Sequence, residues 1–213
     1  MDFNKEALLL YAVTDRAWIG KQTLLEQIED ALKGGVTILQ LREKGLDEDS
    51  FVKEAIQVKA LCRRYGVPLI INDNLEVALR SGADGVHVGI EDAPVAEIRQ
   101  RTGKDFLIGA TAKTVTQAVL AEKSGADYLG VGAVFPSPTK KNAVRNPPEQ
   151  LKAICTSVCI PTVAIGGISL ENAAQLKGGG MDGIAVVSAI FGAGDIQKAA
   201  RQMKEKAREV ISG

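Results

Sequence analysis

Short apolar runs alternate with amphipathic segments along this chain, at intervals of roughly 20–30 residues, the size of one β–α unit. The runs are nearly continuous in hydrophobic residues, as parallel strands covered on both faces should be. We therefore predict eight β-strands, at Leu8–Thr14, Thr37–Leu41, Pro68–Asn72, Gly85–Val88, Leu107–Thr111, Tyr128–Gly132, Thr162–Ile165 and Gly183–Val187.

The segments between the strands place apolar residues about 3.6 residues apart, which predicts helices with one buried face. Their ranges are Thr23–Lys33, Phe51–Tyr65, Leu75–Ser81, Ala93–Arg101, Val115–Ser124, Pro148–Thr156, Leu170–Gly178 and Asp195–Ile211. Asp195 is expected to cap the last helix at its N-terminus, because its carboxylate can accept from free backbone N–H groups.

Eight consecutive units of similar length predict an α/β fold, a closed (β/α)₈ TIM barrel that takes up residues 1–213 as a single domain. The length of 213 residues lies near the short end of the usual range for this fold, about 200 to 400. The alternative is a doubly wound open sheet, which is disfavoured because no G-x-G-x-x-G loop follows the first strand.

The formal net charge is zero, so electrostatics give no reason to expect binding to nucleic acid or to an anionic membrane. No apolar stretch approaches the roughly 18 residues of a membrane span. The first apolar run is better explained as a strand than as a signal peptide. We therefore expect a cytoplasmic protein that acts on small molecules, and the sequence leaves homo-oligomer formation open.

Polar residues cluster where the predicted strands end. They are Gln40, Arg42 and Lys44 after the second strand, Asn72 and Asp73 after the third, His87, Glu91 and Asp92 around the fourth, Thr139, Lys140 and Lys141 after the sixth, Gly166 and Gly167 after the seventh, and Ser188 after the eighth. Ligands of parallel α/β proteins bind at this end of the strands. The sequence therefore predicts a small-molecule site there.

Asp73 and Asp92 belong to neighbouring strands and face a group of cationic side chains. This arrangement favours a Mg²⁺ ion held jointly with a polyphosphate, because Mg²⁺ takes only one or two protein carboxylates. The alternative is that each aspartate caps the helix that follows it. The pattern of residues does not decide between these two roles.

A second anion site is predicted in the loops at Gly166–Ile168 and Val186–Ile190, where this fold commonly binds phosphate. No Ser-His-Asp system and no lysine buried within a strand is evident, so the chain lacks an obvious nucleophile. These features suit the departure of a diphosphate that leaves a cation behind, with the second substrate as the nucleophile.

Six segments resemble the thiamine-phosphate synthase family in their order and spacing. They are QLREK at Gln40–Lys44, IINDN at Ile70–Asn74, DGVHVGIED at Asp84–Asp92, VFPSPTKKNA at Val134–Ala143, GGI at Gly166–Ile168 and VVSAI at Val186–Ile190. The resemblance implies a Mg²⁺-dependent transferase that joins 4-amino-5-hydroxymethyl-2-methylpyrimidine diphosphate to a thiazole phosphate and releases diphosphate. Because no side chain is placed as a nucleophile, we hypothesise a dissociative step through a pyrimidine carbocation.

The resemblance also implies roles for individual residues. Pyrimidine diphosphate would be bound by Gln40, Arg42, Lys44, Asn72, Thr111 and Lys140, of which Arg42, Lys44 and Lys140 would be catalytic. Thiazole phosphate would be bound by Ser137, Thr139, Gly167, Val187 and Ser188, and Mg²⁺ by Asp73 and Asp92. The long polar segment Phe135–Gln150 is expected to act as a lid over the phosphates. Departures from the family pattern at Ile90, Lys113, Ala133 and Asn142 concern this lid and the substrate preference.

Two other functions are compatible with the same motifs. A thiazole tautomerase shares the barrel and the thiazole-phosphate loops, but generally lacks the Asn-Asp and Glu-Asp pairs that are present here at Asn72–Asp73 and Glu91–Asp92. A thiamine-phosphate-binding protein without catalytic activity is the second alternative.

Overall fold

The protein is described here by a computed structural model, which covers residues 4–136 and 147–212. Its strands are β1 Leu10–Val13, β2 Ile38–Leu41, β3 Leu69–Asn72, β4 Gly85–Val88, β5 Leu107–Ala112, β6 Tyr128–Gly132, β7 Thr162–Ile165 and β8 Gly183–Val186. Each strand is parallel to the next along the chain, and β8 pairs with β1 to close the barrel. The predicted (β/α)₈ barrel is therefore confirmed, and the open-sheet alternative is wrong.

The α-helices surround the strands. They are α1 Leu24–Lys33, α2 Glu48–Arg64, α3 Leu75–Ser81, α4 Val95–Thr102, α5 Val115–Lys123, α6 Pro148–Cys155, α7 Ser188–Phe191 and α8 Ile196–Ile211. Asp195 accepts a hydrogen bond from the backbone N–H of Lys198, which confirms the predicted cap. Helix α2 begins earlier than predicted because Asp47 caps it through the N–H of Ser50. None of the described helices is long and apolar enough to cross a bilayer.

The helix predicted at Leu170–Gly178 is wrong, because only a 3-10 turn forms there, at Ala173–Leu176. The side chain of Asn172 explains the difference. Its Oδ1 accepts from the N–H of Ser169 and its Nδ2 donates to the carbonyl of Gly167. Asparagine side chains that bond to nearby backbone in this way compete with regular helical hydrogen bonds.

Buried apolar side chains form one core between the strands and helices and a second core inside the barrel. The second core contains Leu8, Tyr11, Val13, Ile38, Ile70, Tyr128, Val163 and Ala185. A TIM barrel is a packed core and not a pore. Because these side chains fill the interior, a ligand can reach the barrel only from an end, and the polar strand ends lie at the C-terminal one.

Candidate active site

Three of the predicted site residues meet at the ends of β2 and β3. Lys44 Nζ lies 2.6 Å from Asp73 Oδ2, and Asn72 Nδ2 donates to Asp73 Oδ1 over 2.8 Å. Asp73 has a φ of 62°, in the left-handed region that few residues other than glycine adopt. Such backbone conformations cost free energy and concentrate at functional sites. The turn after β3 therefore holds the Asp73 carboxylate against both neighbours.

The helix-capping interpretation of Asp73 and Asp92 is wrong. Asn74 caps α3 through the N–H of Val77, and α4 begins after Pro94 without a side-chain cap. The left-handed backbone of Asp73 differs from the extended conformation that an N-cap usually has. Asp92 instead closes its own loop, because its Oδ2 accepts from the N–H of Gly89 over 2.6 Å.

One buried polar atom beside Asp73 has no partner among the described residues. This atom is Asn72 Oδ1. The nitrogen of the same amide, Nδ2, already donates to Asp73. A buried acceptor without a hydrogen bond costs free energy that a ligand can recover. A cleft of about 550 Å³ opens at the same place, lined by Lys44, Asn72 and Asp73 together with residues of α2 and α3.

Arg42 is held by residues that follow β1, which the sequence analysis did not identify. Its Nη1 donates to Asp15 Oδ2 over 2.9 Å, and its backbone N–H donates to Thr14 Oγ1 over 2.9 Å. Thr14 and Asp15 are polar residues directly after an apolar strand. The rule that selected the ends of the other strands could therefore have identified them as well.

A second ion-pair group includes Glu43, the residue after Arg42. In this group, Arg16 bridges Glu43 and Glu54. Arg16 Nε lies 2.6 Å from Glu43 Oε2, and Arg16 Nη2 lies 2.6 Å from Glu54 Oε1. The Glu43 side chain is only 1% exposed, and one carboxylate oxygen of each glutamate is buried without a partner among the described residues. Burial and the neighbouring charge of Glu43 raise the pKa of Glu54, despite Arg16.

This raised pKa predicts a dependence of stability on pH. A carboxyl group whose pKa is raised by folding stabilises the folded state fully below its unfolded pKa, and this contribution is lost as the pH rises through the folded value. The variant Glu54→Gln cannot titrate there. Relative to the wild type, it should gain free energy of unfolding as the pH is raised from acid to neutral, as measured by urea denaturation across that range.

The variant Glu48→Gln is the matched control, because it removes a carboxylate from an exposed position at the start of the same helix. A difference between wild type and Glu54→Gln that stays constant with pH, after correction for this control, would contradict the raised pKa.

Gln40 and Thr111 occupy opposite parts of the barrel mouth, on β2 and β5. Gln40 is 5% exposed, and its Nε2 donates to the hydroxyl of Tyr11 over 2.8 Å. Thr111 Oγ1 lies 3.1 Å from Nε2 of His87. Both residues therefore contact side chains that point into the barrel interior.

The loops after β7 and β8, where the phosphate site is predicted, contain two glycines with unusual backbone angles and the start of a short helix. Gly166 and Gly167 both have positive φ angles, and a Cβ on Gly167 would lie 2.2 Å from the carbonyl oxygen of Pro136. Ser188 begins α7 directly after Val187. The first N–H groups of a helix have no acceptor within it. The predicted residues Ser137, Thr139 and Lys140 lie outside the described residues.

Comparisons with known proteins show which family the chain belongs to. A family model described as thiamine monophosphate synthase matches residues 10–190. Thiamine-phosphate synthase 2 of Streptococcus pneumoniae TIGR4 is 46% identical over 209 residues, covering 98% of this chain and 100% of that protein. Thiamine-phosphate synthase of Ruminiclostridium cellulolyticum is 48% identical over 196 residues, covering 92% of this chain and 93% of that protein.

A solved structure shares the whole barrel. Thiamine phosphate pyrophosphorylase from Pyrococcus furiosus superposes with a TM-score of 0.90 at 38% identity, covering 97% of this chain and 98% of that one. The sequence matches and this structure span nearly the full length of the chain. The chain therefore belongs to the thiamine monophosphate synthase family of transferases.

Proposed function

We propose that the barrel catalyses thiamine-phosphate synthesis, in which the pyrimidine diphosphate is joined to thiazole phosphate and diphosphate leaves. The observation that supports this most directly is the group formed by Lys44, Asp73 and Asn72. It combines a cation for the diphosphate, a carboxylate for a metal ion and a buried acceptor, Asn72 Oδ1, without a described partner. A group of this kind suits the departure of a diphosphate better than attack by a protein nucleophile.

The cofactor in this proposal is Mg²⁺, bound by Asp73 and Asp92. The donors fit this ion, because Mg²⁺ prefers carboxylate, carbonyl and water oxygens. Within the described ranges, no three histidine, cysteine or acidic side chains lie close enough together to hold a metal ion. The remaining ligands would thus come from water and from the substrate, as is usual for Mg²⁺. When bound, Mg²⁺ would supply positive charge to the departing diphosphate.

The cationic side chains share the remaining charge of the diphosphate in this proposal. Lys44 forms an ion pair with Asp73. When substrate binds, its Nζ would donate to a phosphate oxygen instead. Arg42 is kept in place by Asp15, so its guanidinium is oriented before substrate arrives. Lys140 is assigned to the same diphosphate from the sequence. Gln40, Asn72 and Thr111 complete the pyrimidine diphosphate site.

The thiazole phosphate is assigned to the loops after β7 and β8, at Gly167, Val187 and Ser188. Ser137 and Thr139 are assigned to the same phosphate from the sequence. The variant Ser188→Ala removes one donor to a dianion, and a charge-assisted hydrogen bond contributes about 1.5–3 kcal/mol. We expect calorimetric titration to show weaker binding of thiazole phosphate and little change for pyrimidine diphosphate. An equal loss for both ligands would mean that the two anion sites are wrongly assigned.

The carbocation mechanism predicts sensitivity to the electronic properties of the pyrimidine. The aminopyrimidine can delocalise positive charge once diphosphate leaves, and the thiazole nitrogen then attacks. A trifluoromethyl group in place of the ring methyl group destabilises that cation, so turnover should slow strongly while ground-state binding stays similar. Single-turnover kinetics would confirm that chemistry limits the rate. An undiminished rate with this substrate would refute the dissociative step.

A release assay separates the synthase from its two alternatives. Protein is incubated with both substrates and with each alone, and free diphosphate and thiamine phosphate are quantified. A synthase forms both products in equal amounts only when both substrates are present. A tautomerase would isomerise the thiazole without releasing diphosphate, and a binding protein would form no product. The Asn72–Asp73 and Glu91–Asp92 pairs favour the synthase.

A further inference from the structure

A chain of polar side chains crosses the otherwise apolar interior of the barrel. Gln40 Nε2 donates to the hydroxyl of Tyr11, which lies 2.8 Å from the hydroxyl of Tyr128. The Tyr128 hydroxyl lies 3.3 Å from His87 Nδ1, and His87 Nε2 lies 3.1 Å from Thr111 Oγ1. The chain therefore begins and ends at residues assigned to the pyrimidine site.

The barrel is shaped to accommodate this chain. Tyr11 and Tyr128 are fully buried. Strands β5 and β6 carry glycine where the Tyr128 and His87 rings pass. A Cβ on Gly109 would lie 2.2 Å from Tyr128 Cζ and 2.4 Å from His87 Nδ1. A Cβ on Gly130 would lie 3.0 Å from His87 Cε1. Glycine at positions 109 and 130 leaves out a side chain and so makes room for buried polar groups. This arrangement indicates that the polar groups have a role beyond packing.

One set of hydrogen positions is compatible with all four contacts and has Gln40 as its first donor. In this set, Tyr11 donates to Tyr128, and Tyr128 donates to His87 Nδ1. His87 then carries its proton on Nε2 and donates to Thr111. Burial raises the pKa of both tyrosines, so that both hydroxyl groups keep their protons.

We propose that Tyr11, Tyr128 and His87 are positioning residues, which orient Gln40 and Thr111 to recognise the hydrogen-bonding pattern of an aminopyrimidine. With its Nε2 held by Tyr11, Gln40 presents Oε1 as an acceptor for the exocyclic amino group. Thr111, which accepts from His87, presents its hydroxyl hydrogen to a ring nitrogen. This inference rests on the proposed function, because it takes an aminopyrimidine as the ligand.

Selectivity between two ligands tests the inference. The 4-oxo analogue of the pyrimidine diphosphate presents an acceptor where the substrate presents its amino group. In Tyr128→Phe, the Tyr11 hydroxyl loses its acceptor and should donate to Gln40 Oε1 instead, which turns the amide around. The preference for the amino over the oxo compound, measured by titration without thiazole phosphate, should fall by about 3- to 10-fold, the value of one hydrogen bond.

Two further variants complete this experiment. Tyr11→Phe should also reduce the preference, because it removes the acceptor of Gln40 directly, and it serves if Tyr128→Phe does not fold. Tyr65→Phe is the matched control, since its hydroxyl donates to Glu29 on the outside of the barrel. Affinity for thiazole phosphate should stay unchanged in all three. If Tyr128→Phe and Tyr11→Phe fold and keep the wild-type preference for the amino compound, the inference is overturned.

The single histidine of the chain allows a spectroscopic test. In protein with ¹⁵N-labelled histidine and no affinity tag, long-range ¹H–¹⁵N spectra should show the proton on Nε2 and an unprotonated Nδ1. A proton on Nδ1 of the wild type would overturn the inference. If wild type binds the amino compound and releases diphosphate, either negative result refutes the positioning role alone. If wild type does neither, the proposed function fails, and the positioning role with it.

Discussion

Replacing Asp92 by asparagine should lower turnover by roughly 100-fold or more, as expected when a major electrostatic contribution to the transition state is lost. The substitution removes one negative charge from the proposed Mg²⁺ site. It leaves a side-chain carbonyl that can still accept from the N–H of Gly89, so the loop should keep its conformation. Steady-state rates measured over a range of Mg²⁺ concentrations should also show that the variant requires more of the ion.

The neighbouring Glu91→Gln variant is the control, because Glu91 is also exposed and acidic but has no assigned metal role. It should retain most of the activity. Comparable losses in Glu91→Gln and Asp92→Asn would indicate a general effect of charge on this loop. Turnover by the wild type that persists in excess chelator would remove the metal from the proposal altogether.

Replacing Gly109 by alanine should destabilise the protein by about 3 kcal/mol, at the upper end of the usual cost of overpacking a core. The added methyl group would lie 2.2 Å from Tyr128 Cζ and 2.4 Å from His87 Nδ1, and both rings are fixed within the barrel. Exchanging glycine for alanine in an open part of a strand would not have this effect. The free energy of unfolding, measured by urea denaturation, should therefore fall.

Gly20→Ala is the control for this substitution, because nothing lies within 4 Å of the added atom and the backbone there is not left-handed. Its stability should stay within about 0.5 kcal/mol of the wild type, as for most surface substitutions. A Gly109→Ala protein as stable as this control would contradict the packing of the Tyr128 and His87 rings over β5.

The barrel could be predicted from the sequence because each strand and helix is indicated by the residues within its own segment. Apolar runs of strand length and amphipathic segments of helix length alternate throughout, and all eight strands lie within a few residues of their predicted bounds. The one helix that failed, at Leu170–Gly178, depends on a side-chain competitor, Asn172, whose bonds to Ser169 and Gly167 a hydrophobic pattern does not reveal.

The site was predictable only in its general location. Placing Lys44, Asn72 and Asp73 at one end of the strands follows from the topology, but their direct contact depends on the left-handed backbone of Asp73. That conformation is unusual for aspartate, so residue preferences argue against it. For the same reason the sequence could not choose between capping and metal binding for Asp73.

The contacts between distant strands were least accessible to sequence analysis. Asp15 holds Arg42 across 27 positions of sequence, and Tyr11 contacts Tyr128 across 117. In the sequence, each tyrosine looks like an ordinary buried strand residue, because neither segment contains a sign of the polar partner that its hydroxyl group contacts. Only the closed barrel brings their hydroxyl groups together.

In the proposed reaction, this barrel releases diphosphate from the pyrimidine substrate as it bonds the pyrimidine to thiazole phosphate, with Mg²⁺ at Asp73 and Asp92. The most direct test follows both substrates in one sample by ³¹P NMR, before and after Mg²⁺ is added to metal-free protein. We expect the diphosphate and thiamine phosphate signals to grow together, at equal rates, only after the addition of Mg²⁺. Loss of the diphosphate ester without thiamine phosphate, or product formation before Mg²⁺ is added, would contradict it.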